Sequence, residues 1–233
     1  MLTIKIEMKQ ITIMDDKIYA EAGVLLPYIA QVAYQHGLGG LEWAWGIPGT
    51  VGGAVVMNAG AFNYEIFDYI THVDLMNRNG DLVRKEARDI RTTHRFTDIN
   101  TSEHIIVGAN LRLTKKDKQV IMEKVRQYKN YRINTQPSGL TLGSTFKRHF
   151  DEKAQKWVSA GYYIDKCNLK GVKIGGAMIS EKHANFIINH NDASYTDVLK
   201  LMRMMRESVQ EQFNIILEPE IKVWLSQSEL KLL

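Results

Sequence analysis

Residues 46–61 read GIPGTVGGAVVMNAGA, and the reading of this stretch decides the fold. Gly46, Gly49, Gly52, Gly53 and Gly60 surround Pro48. Glycine permits positive φ and lets the backbone approach a ligand closely. A loop of consecutive exposed N–H groups makes a nest for an anion such as a pyrophosphate. Thr50 adds a hydroxyl donor, and Asn58 adds an amide that can meet a ring or a ribose. The spacing is not GxGxxG, and no Gly-Lys-Ser/Thr follows, so neither a dinucleotide fingerprint nor a P-loop is present. On glycine content alone, a tight strand–turn–helix with no ligand is an equally good account, because glycine mostly marks turns.

Working outward, Leu2, Ile4 and Ile6 alternate with Thr3 and Lys5, the pattern of a half-buried strand. Ile11 and Ile13 repeat it, and Asp15-Asp16 predicts a turn into a strand over 17–22. A helix follows, with Pro27 in its first turn and Leu26, Ile29 and Ala33 at helical spacing, ending at Gly37. Beyond the glycine-rich stretch, strands over 70–76 and 81–86 flank an Asn79-Gly80 turn, a hairpin signal. Residues 105–113 form another strand. The polar run Thr114 to Lys118 is the best domain boundary, which gives domains 1–116 and 117–233. The second half predicts a helix over about 118–131 and strands over 172–180 and 184–189. An amphipathic helix then carries Val198, Leu201, Met202, Met205 and Val209, its methionines filling a core, and a last strand runs from Ile221 to Trp224. Hairpins mixed with helices, without regular βαβ alternation, place the chain in the α+β class.

The 233 residues allow one or two domains, and a chain of this length buries roughly 70% of its unfolded surface. Hydrophobic residues at 45% and charged residues at 24% exclude wholesale disorder. A single cysteine, Cys167, excludes an internal disulfide framework and any multi-cysteine zinc site, and no metal is expected. A net charge of +4 is too small and too scattered to point to nucleic acid and suits a small anionic substrate equally well. No apolar stretch matches a signal peptide or a membrane span, so the default expectation is a cytoplasmic protein with no membrane partner.

The segment GLEWAWGIPGTVGGAVVMNAGA resembles the flavin-binding signature of the UDP-N-acetylenolpyruvoylglucosamine reductases (MurB), bacterial enzymes of peptidoglycan precursor synthesis. The resemblance runs on in order through HRFT (94–97), GSTFKR (143–148), AGYYIDKCNLKGVKIGGAMISEKHANFIIN (160–189) and FNIILEPEI (213–221). It implies an FAD-binding domain of the vanillyl-alcohol-oxidase type followed by a smaller substrate-binding domain. It also implies reduction of an enolpyruvyl ether on a UDP-sugar to a lactyl ether, with NADPH as the source of hydride and FAD as its carrier. FAD would be held by Gly46, Ile47, Pro48, Gly49, Thr50, Gly52, Gly53, Asn58, Gly60 and Ala61.

Hydride addition to one alkene carbon builds negative charge beside the substrate carboxylate, which calls for cations and donors aimed at that charge and a positioned acid. The resemblance puts Ser144 in the place of the proton donor, Arg95 opposite the carboxylate and Glu220 in support of the enolate. Arginine suits a carboxylate because its planar donors pair bidentately. A glutamate beside an enolate needs to be protonated or tightly paired, as happens when burial raises a carboxyl pKa. Arg132, Lys147 and Arg148 resemble the basic patch that meets the diphosphate of the UDP-sugar. Read singly, Ser144 is an ordinary turn or cap serine and each cation a solvated surface charge. His183, in SEKHANF, is more simply a structural hydrogen-bonder, and Cys167 a buried or incidental thiol.

The resemblance has departures. Family members carry some tens of residues ahead of the point matching Met1, which form a first lobe with a GxGSN-type loop around the pyrophosphate. The expectation is therefore an incomplete FAD-binding domain with an apolar sheet face left uncovered. His94 stands where a tyrosine is usual, Thr97 for a serine, His149 for a proline, and Lys222 for an arginine whose bidentate fork lysine lacks. No long loop follows Leu113, which matches the shorter class of the family. Two further readings stay open: another FAD oxidase of the same fold, and an FAD-deficient remnant acting only as a UDP-sugar-binding or interaction module.

Overall fold

The computed structural model describes residues 7–152 and 154–223. The expected strand over 2–6, and Trp224 of the expected last strand, lie outside the described residues. The chain divides into two compact units, Met1–Asn130 and Tyr131–Leu233, and the division falls within the helix Lys118–Thr135. The expected boundary at 116/117 lies just before that helix.

The first unit is built on a five-stranded antiparallel sheet in the order Ile11–Met14, Lys17–Glu21, His104–Arg112, Ile70–Asn77, Leu82–Glu86. Alternation puts Ile18, Ala20, Val73, Leu75, Ala109 and Leu111 into the core. The helix Leu26–Gln35 covers them with Leu26, Ile29, Ala30 and Ala33, and it closes at His36, with Gly37 at φ +66°. Two short segments without a strand pattern in the sequence are also paired. Thr114–Lys115 forms a short antiparallel ladder with Leu38–Gly39, so the polar run after the last sheet strand is tied to the first unit.

The glycine-rich stretch enters this core through the helix Val51–Val56. Leu26 N–H donates to Gly49 O at 2.9 Å and Val51 N–H to Val24 O at 2.8 Å, which stitches the loop beside the chain leading into the first helix. Gly52 is a packing glycine: a Cβ there would stand 3.0 Å from Ala22 Cβ and 3.2 Å from Ala22 O.

The second unit holds the four-stranded antiparallel sheet Thr141–Ser144, Phe186–Asn189, Ala177–Ile179, Lys173–Ile174. The strand expected over 172–180 is a tight hairpin broken at Gly175-Gly176, with Gly175 at φ +53°. The helix Tyr195–Phe213 opens with a capping box, in which Ser194 and Asp197 bond each other's backbone N–H groups, and it buries Leu201, Met202, Met205 and Val209. The methionines expected in a core lie in one. Residues 221–223 are not a strand. The pairing occurs just before them, where Phe146 bridges Pro219.

Candidate functional site

In the first unit, Gly46, Pro48 and Gly49 are exposed, and Ile47 and Thr50 are half-buried. Gly49 has φ +121° with open space where a Cβ would sit, so only glycine takes this backbone without strain. The expected run of free N–H groups is not found at 51–53. Val51 N–H donates to Val24 O, Gly52 N–H to Ala22 O at 2.9 Å, and Gly53 N–H to Thr50 Oγ1 at 3.3 Å. These donors are spent on the packing of the short helix, with Thr50 as its N-cap. What stays open is the outer side of Gly53. There a cleft of about 270 Å³ is lined by Thr50, Gly53, Val56, Thr101, Ile105 and Ile106.

Asn58 is also placed differently from expectation. It is fully buried at φ +40°, and its Nδ2 donates to Glu65 Oε2 at 2.5 Å and to Thr93 O at 3.2 Å. The amide N–H groups thus hold protein rather than a ring or a ribose. Its Oδ1 is buried without a hydrogen-bond partner among the described residues. Gly60 and Ala61 pair with Tyr64–Glu65 around a two-residue turn, Phe62-Asn63, both at positive φ. A Cβ on Gly60 would lie 2.2 Å from Tyr64 O, so the position requires glycine. Phe62 stacks on Tyr128 with ring centroids 4.1 Å apart.

Arg95 sits at the tip of a second small hairpin, Thr92–Thr93 with Phe96–Thr97, in the left-handed region at φ +60°. The turn is anchored on the 56–65 segment. Thr97 Oγ1 donates to Val56 O at 3.1 Å, Thr93 O accepts from Asn58, Arg95 Nη2 donates to Gly60 O at 3.0 Å, and His94 Nδ1 lies 3.8 Å from Glu65 Oε1. The structure therefore brings Arg95 and Gly60 together. Nothing in the sequence singled out Glu65, whose carboxylate joins Asn58 and His94.

In the second unit, Ser144 ends its strand opposite Phe186, after a register shift that Gly143 accommodates at φ +82°. A bulge re-aims the side chain that follows it. The Ser144 hydroxyl has no hydrogen-bond partner among the described residues. The next residues run against the segment 218–220: Glu220 N–H donates to Thr145 O at 2.9 Å and Lys147 N–H to Glu218 O at 2.8 Å. Ser144 and Glu220 are thus carried by one ladder.

The cations are placed variously. Lys147 Nζ is bonded to Glu218 Oε1 at 2.5 Å, and the guanidinium of Arg148 lies 4.8 Å from the centre of the Trp157 ring. Arg132 is half-buried near the end of its helix, where burial pushes its pKa down. Burial likewise pushes the His183 imidazole down and the Cys167 thiol up. His183 Nδ1 accepts from Asn185 N–H at 3.2 Å, a structural bond of the kind expected for it. Asn185 lies within the quoted SEKHANF motif but was not singled out by sequence reasoning. Its side chain brackets Phe146. Among the described residues no group of three His, Cys, Asp or Glu side chains could hold a metal ion, and no helix is long and apolar enough to cross a membrane.

Residues 136–224 match the family model described as UDP-N-acetylenolpyruvoylglucosamine reductase, C-terminal domain, and residues 1–85 match that of an FAD binding domain. A UDP-N-acetylenolpyruvoylglucosamine reductase of Chloroherpeton thalassium is 40% identical over 220 residues, covering 93% of this chain and 70% of that protein. The chain belongs to the UDP-N-acetylenolpyruvoylglucosamine reductase family. A second reductase of this family, from Caldicellulosiruptor bescii, is 41% identical over 208 residues, 88% of this chain and 64% of its own length. The crystal structure of the reductase (MurB) from Thermus caldophilus superposes with a TM-score of 0.77 at 35% identity, covering 91% of this chain and 74% of that one.

The open glycine loop and the cleft beside Gly53 fit the flat, largely apolar ring of a flavin. The helix start at 51–53 does not fit a phosphate, because its donors are already used. In the FAD-binding half, Gly46, Pro48, Gly49 and Gly53 remain exposed.

Proposed function

We propose that this chain is an FAD-dependent reductase that converts UDP-N-acetylenolpyruvoylglucosamine to UDP-N-acetylmuramate, with NADPH as reductant, in the cytoplasm. The observation that supports this reading is the pairing of Thr145–Lys147 with Glu218–Glu220, in which Ser144, the candidate proton donor, directly precedes one side and Glu220, the candidate enolate-stabilising carboxylate, lies on the other. Family membership supports the reaction class.

FAD, when bound, supplies the hydride that adds to the methylene carbon of the enolpyruvyl group, having taken it from NADPH. The chain's residues handle the charge and the proton. Hydride addition leaves an electron pair on the carbon bearing the ether oxygen and the carboxylate, where it delocalises into that carboxylate. Arg95 offers a planar fork of donors to the carboxylate, a charge-assisted bond that strengthens as charge accumulates. Ser144 gives its Oγ proton to the ether-bearing carbon and is left as an alkoxide that takes a proton back from solvent. A hydroxyl is a weak acid, but the carbanion is a stronger base, so a positioned serine suffices. Glu220 supports the enolate. Lys147, Arg148 and Arg132 bind the diphosphate and hold the substrate in register.

A UDP-sugar-binding module without flavin is the alternative. Recombinant protein supplied with FAD decides between them. The reductase retains the flavin absorbance after desalting and oxidises NADPH only when UDP-N-acetylenolpyruvoylglucosamine is present. Colourless protein that still binds UDP would support the module.

A further inference from the structure

The chain changes partners where the strand carrying Ser144 outruns its neighbour. Thr145 N–H still donates to Asn185 O at 2.8 Å. At Phe146 the neighbouring backbone has turned away. The chain from Ser180 to Phe186 is a tight loop in which Ser180 Oγ accepts from Lys182 N–H and His183 N–H, and Phe186 N–H donates to His183 O. The Asn185 side chain takes the vacated place. Its Oδ1 accepts from Phe146 N–H at 3.0 Å and its Nδ2 donates to Phe146 O at 2.8 Å, so one amide reproduces both bonds of a strand partner. Asn185 is 3% exposed and Phe146 1%. On its other side the same segment, 145–147, is paired with 218–220. The His183 imidazole holds the asparagine in turn, accepting its backbone N–H.

We propose that Asn185 is a positioning residue for the reduction step: it fixes the register in which Ser144 and Glu220 are presented on their shared ladder. The inference rests on the reductase reading above. It assigns a function to the SEKHANF motif, which no step of that reading uses. Among the described residues Asn185 is the side chain that bonds both Phe146 N–H and Phe146 O, and a buried peptide group needs an acceptor and a donor at once.

Asn185→Asp tests it with little change of shape. An aspartate keeps the acceptor for Phe146 N–H and sets an oxygen against Phe146 O in place of the donor. In stopped-flow measurements on the FAD-loaded full chain, reoxidation of the reduced flavin by UDP-N-acetylenolpyruvoylglucosamine should slow at least tenfold. Reduction of the flavin by NADPH, which uses neither Ser144 nor Glu220, should stay within twofold of wild type. In a Ser144→Ala background the Asn185→Asp penalty should shrink, because the residue acts through that hydroxyl. His183→Ala leaves the amide in place and removes only its backbone anchor. It should show the same split in milder form, a slowing of two- to fivefold. Reoxidation at the wild-type rate in both variants, an equal slowing of both half-reactions, or a penalty undiminished by Ser144→Ala would overturn the proposal. A wild-type chain that takes up FAD but never passes hydride to the substrate would instead overturn the reductase reading, and this inference with it.

Discussion

Arg95 Nη2 donates to the carbonyl oxygen of Gly60 at 3.0 Å, joining the tip of one small hairpin to the base of another. Arg95 occupies the second position of its two-residue turn at φ +60°, where glycine or asparagine is the usual choice. Holding a bulky residue there costs about 1–3 kcal/mol and persists only where the surroundings insist on it. Here they do. Thr93 and Thr97 on either side of the turn are bonded to Asn58 and Val56, so the strained arginine is carried on a frame set by the glycine-rich segment.

Replacing the arginine should therefore affect substrate far more than fold. Arg95→Ala keeps a Cβ at φ +60°, so the backbone strain stays, and it removes the charged fork. We expect kcat/KM for the enolpyruvyl substrate to fall on the order of 100-fold, about 2.7 kcal/mol, in line with loss of a charge-assisted bond. Arg95→Lys should recover little of it, because lysine cannot pair bidentately. Steady-state NADPH oxidation, with the flavin absorbance as control for cofactor content, measures both.

Gly60→Ala tests the frame itself. The added methyl group would meet Tyr64 O, a backbone atom that cannot swing aside. The hairpin must open, at about 1–3 kcal/mol of stability, and the acceptor of Arg95 moves with it. Thermal unfolding should show the lower midpoint. Assays below that midpoint should show a raised KM, which a purely destabilising substitution elsewhere would not produce.

Lys147 shares its ammonium with Glu218, whose carboxylate is largely exposed. A surface pair of this kind contributes about 0–1 kcal/mol to stability, so Glu218→Gln should leave the unfolding midpoint nearly unchanged. It should also release Lys147 for an incoming diphosphate. Calorimetric titration with UDP at low salt should show a few-fold tighter binding for Glu218→Gln and roughly tenfold weaker binding for Lys147→Ala, both differences shrinking as salt is added.

The second unit should lose stability in mild acid. Burial holds the folded-state pKa of His183 below the ordinary 6.5. Between that depressed value and about 6.5 the unfolded chain binds a proton that the folded chain refuses, so stability falls as pH drops through this window and is full above it. Protonation would also remove the acceptor at Nδ1 that Asn185 N–H uses. Denaturant unfolding from pH 7.5 to 5.5 should show the slope, and His183→Gln should flatten it.

Much of the fold is legible in the sequence because each sheet buries one face. Ile11 and Ile13, the strand over 17–21 and the 70–77/82–86 hairpin betray themselves by alternation, and the helix after Leu25 by Pro27 and its apolar spacing. The two-residue ladders at 38–39 with 114–115, 60–61 with 64–65 and 92–93 with 96–97 carry no such pattern, since tertiary pairing alone makes them. Over 221–223 the expected strand fails for a related reason: the backbone of Glu218–Glu220 pairs with Thr145–Lys147 first. In the glycine-rich segment the spacing does not reveal which N–H groups are free. Those of Val51 and Gly52 are taken by Val24 and Ala22, far upstream, and the amide of Asn58 by Glu65 and Thr93. The clamp at Asn185 is equally silent, because an asparagine that imitates a peptide bond looks in sequence like any other.

The most direct test of the account is a single reaction in heavy water. FAD-loaded chain, reduced with NADPH and mixed with UDP-N-acetylenolpyruvoylglucosamine, should reoxidise and place one deuterium on the ether-bearing carbon of the product. Ser144→Ala should slow that reoxidation by roughly a thousandfold, about 4 kcal/mol, with flavin reduction untouched. Reoxidation of Ser144→Ala at the wild-type rate, with deuterium delivered as before, would contradict it.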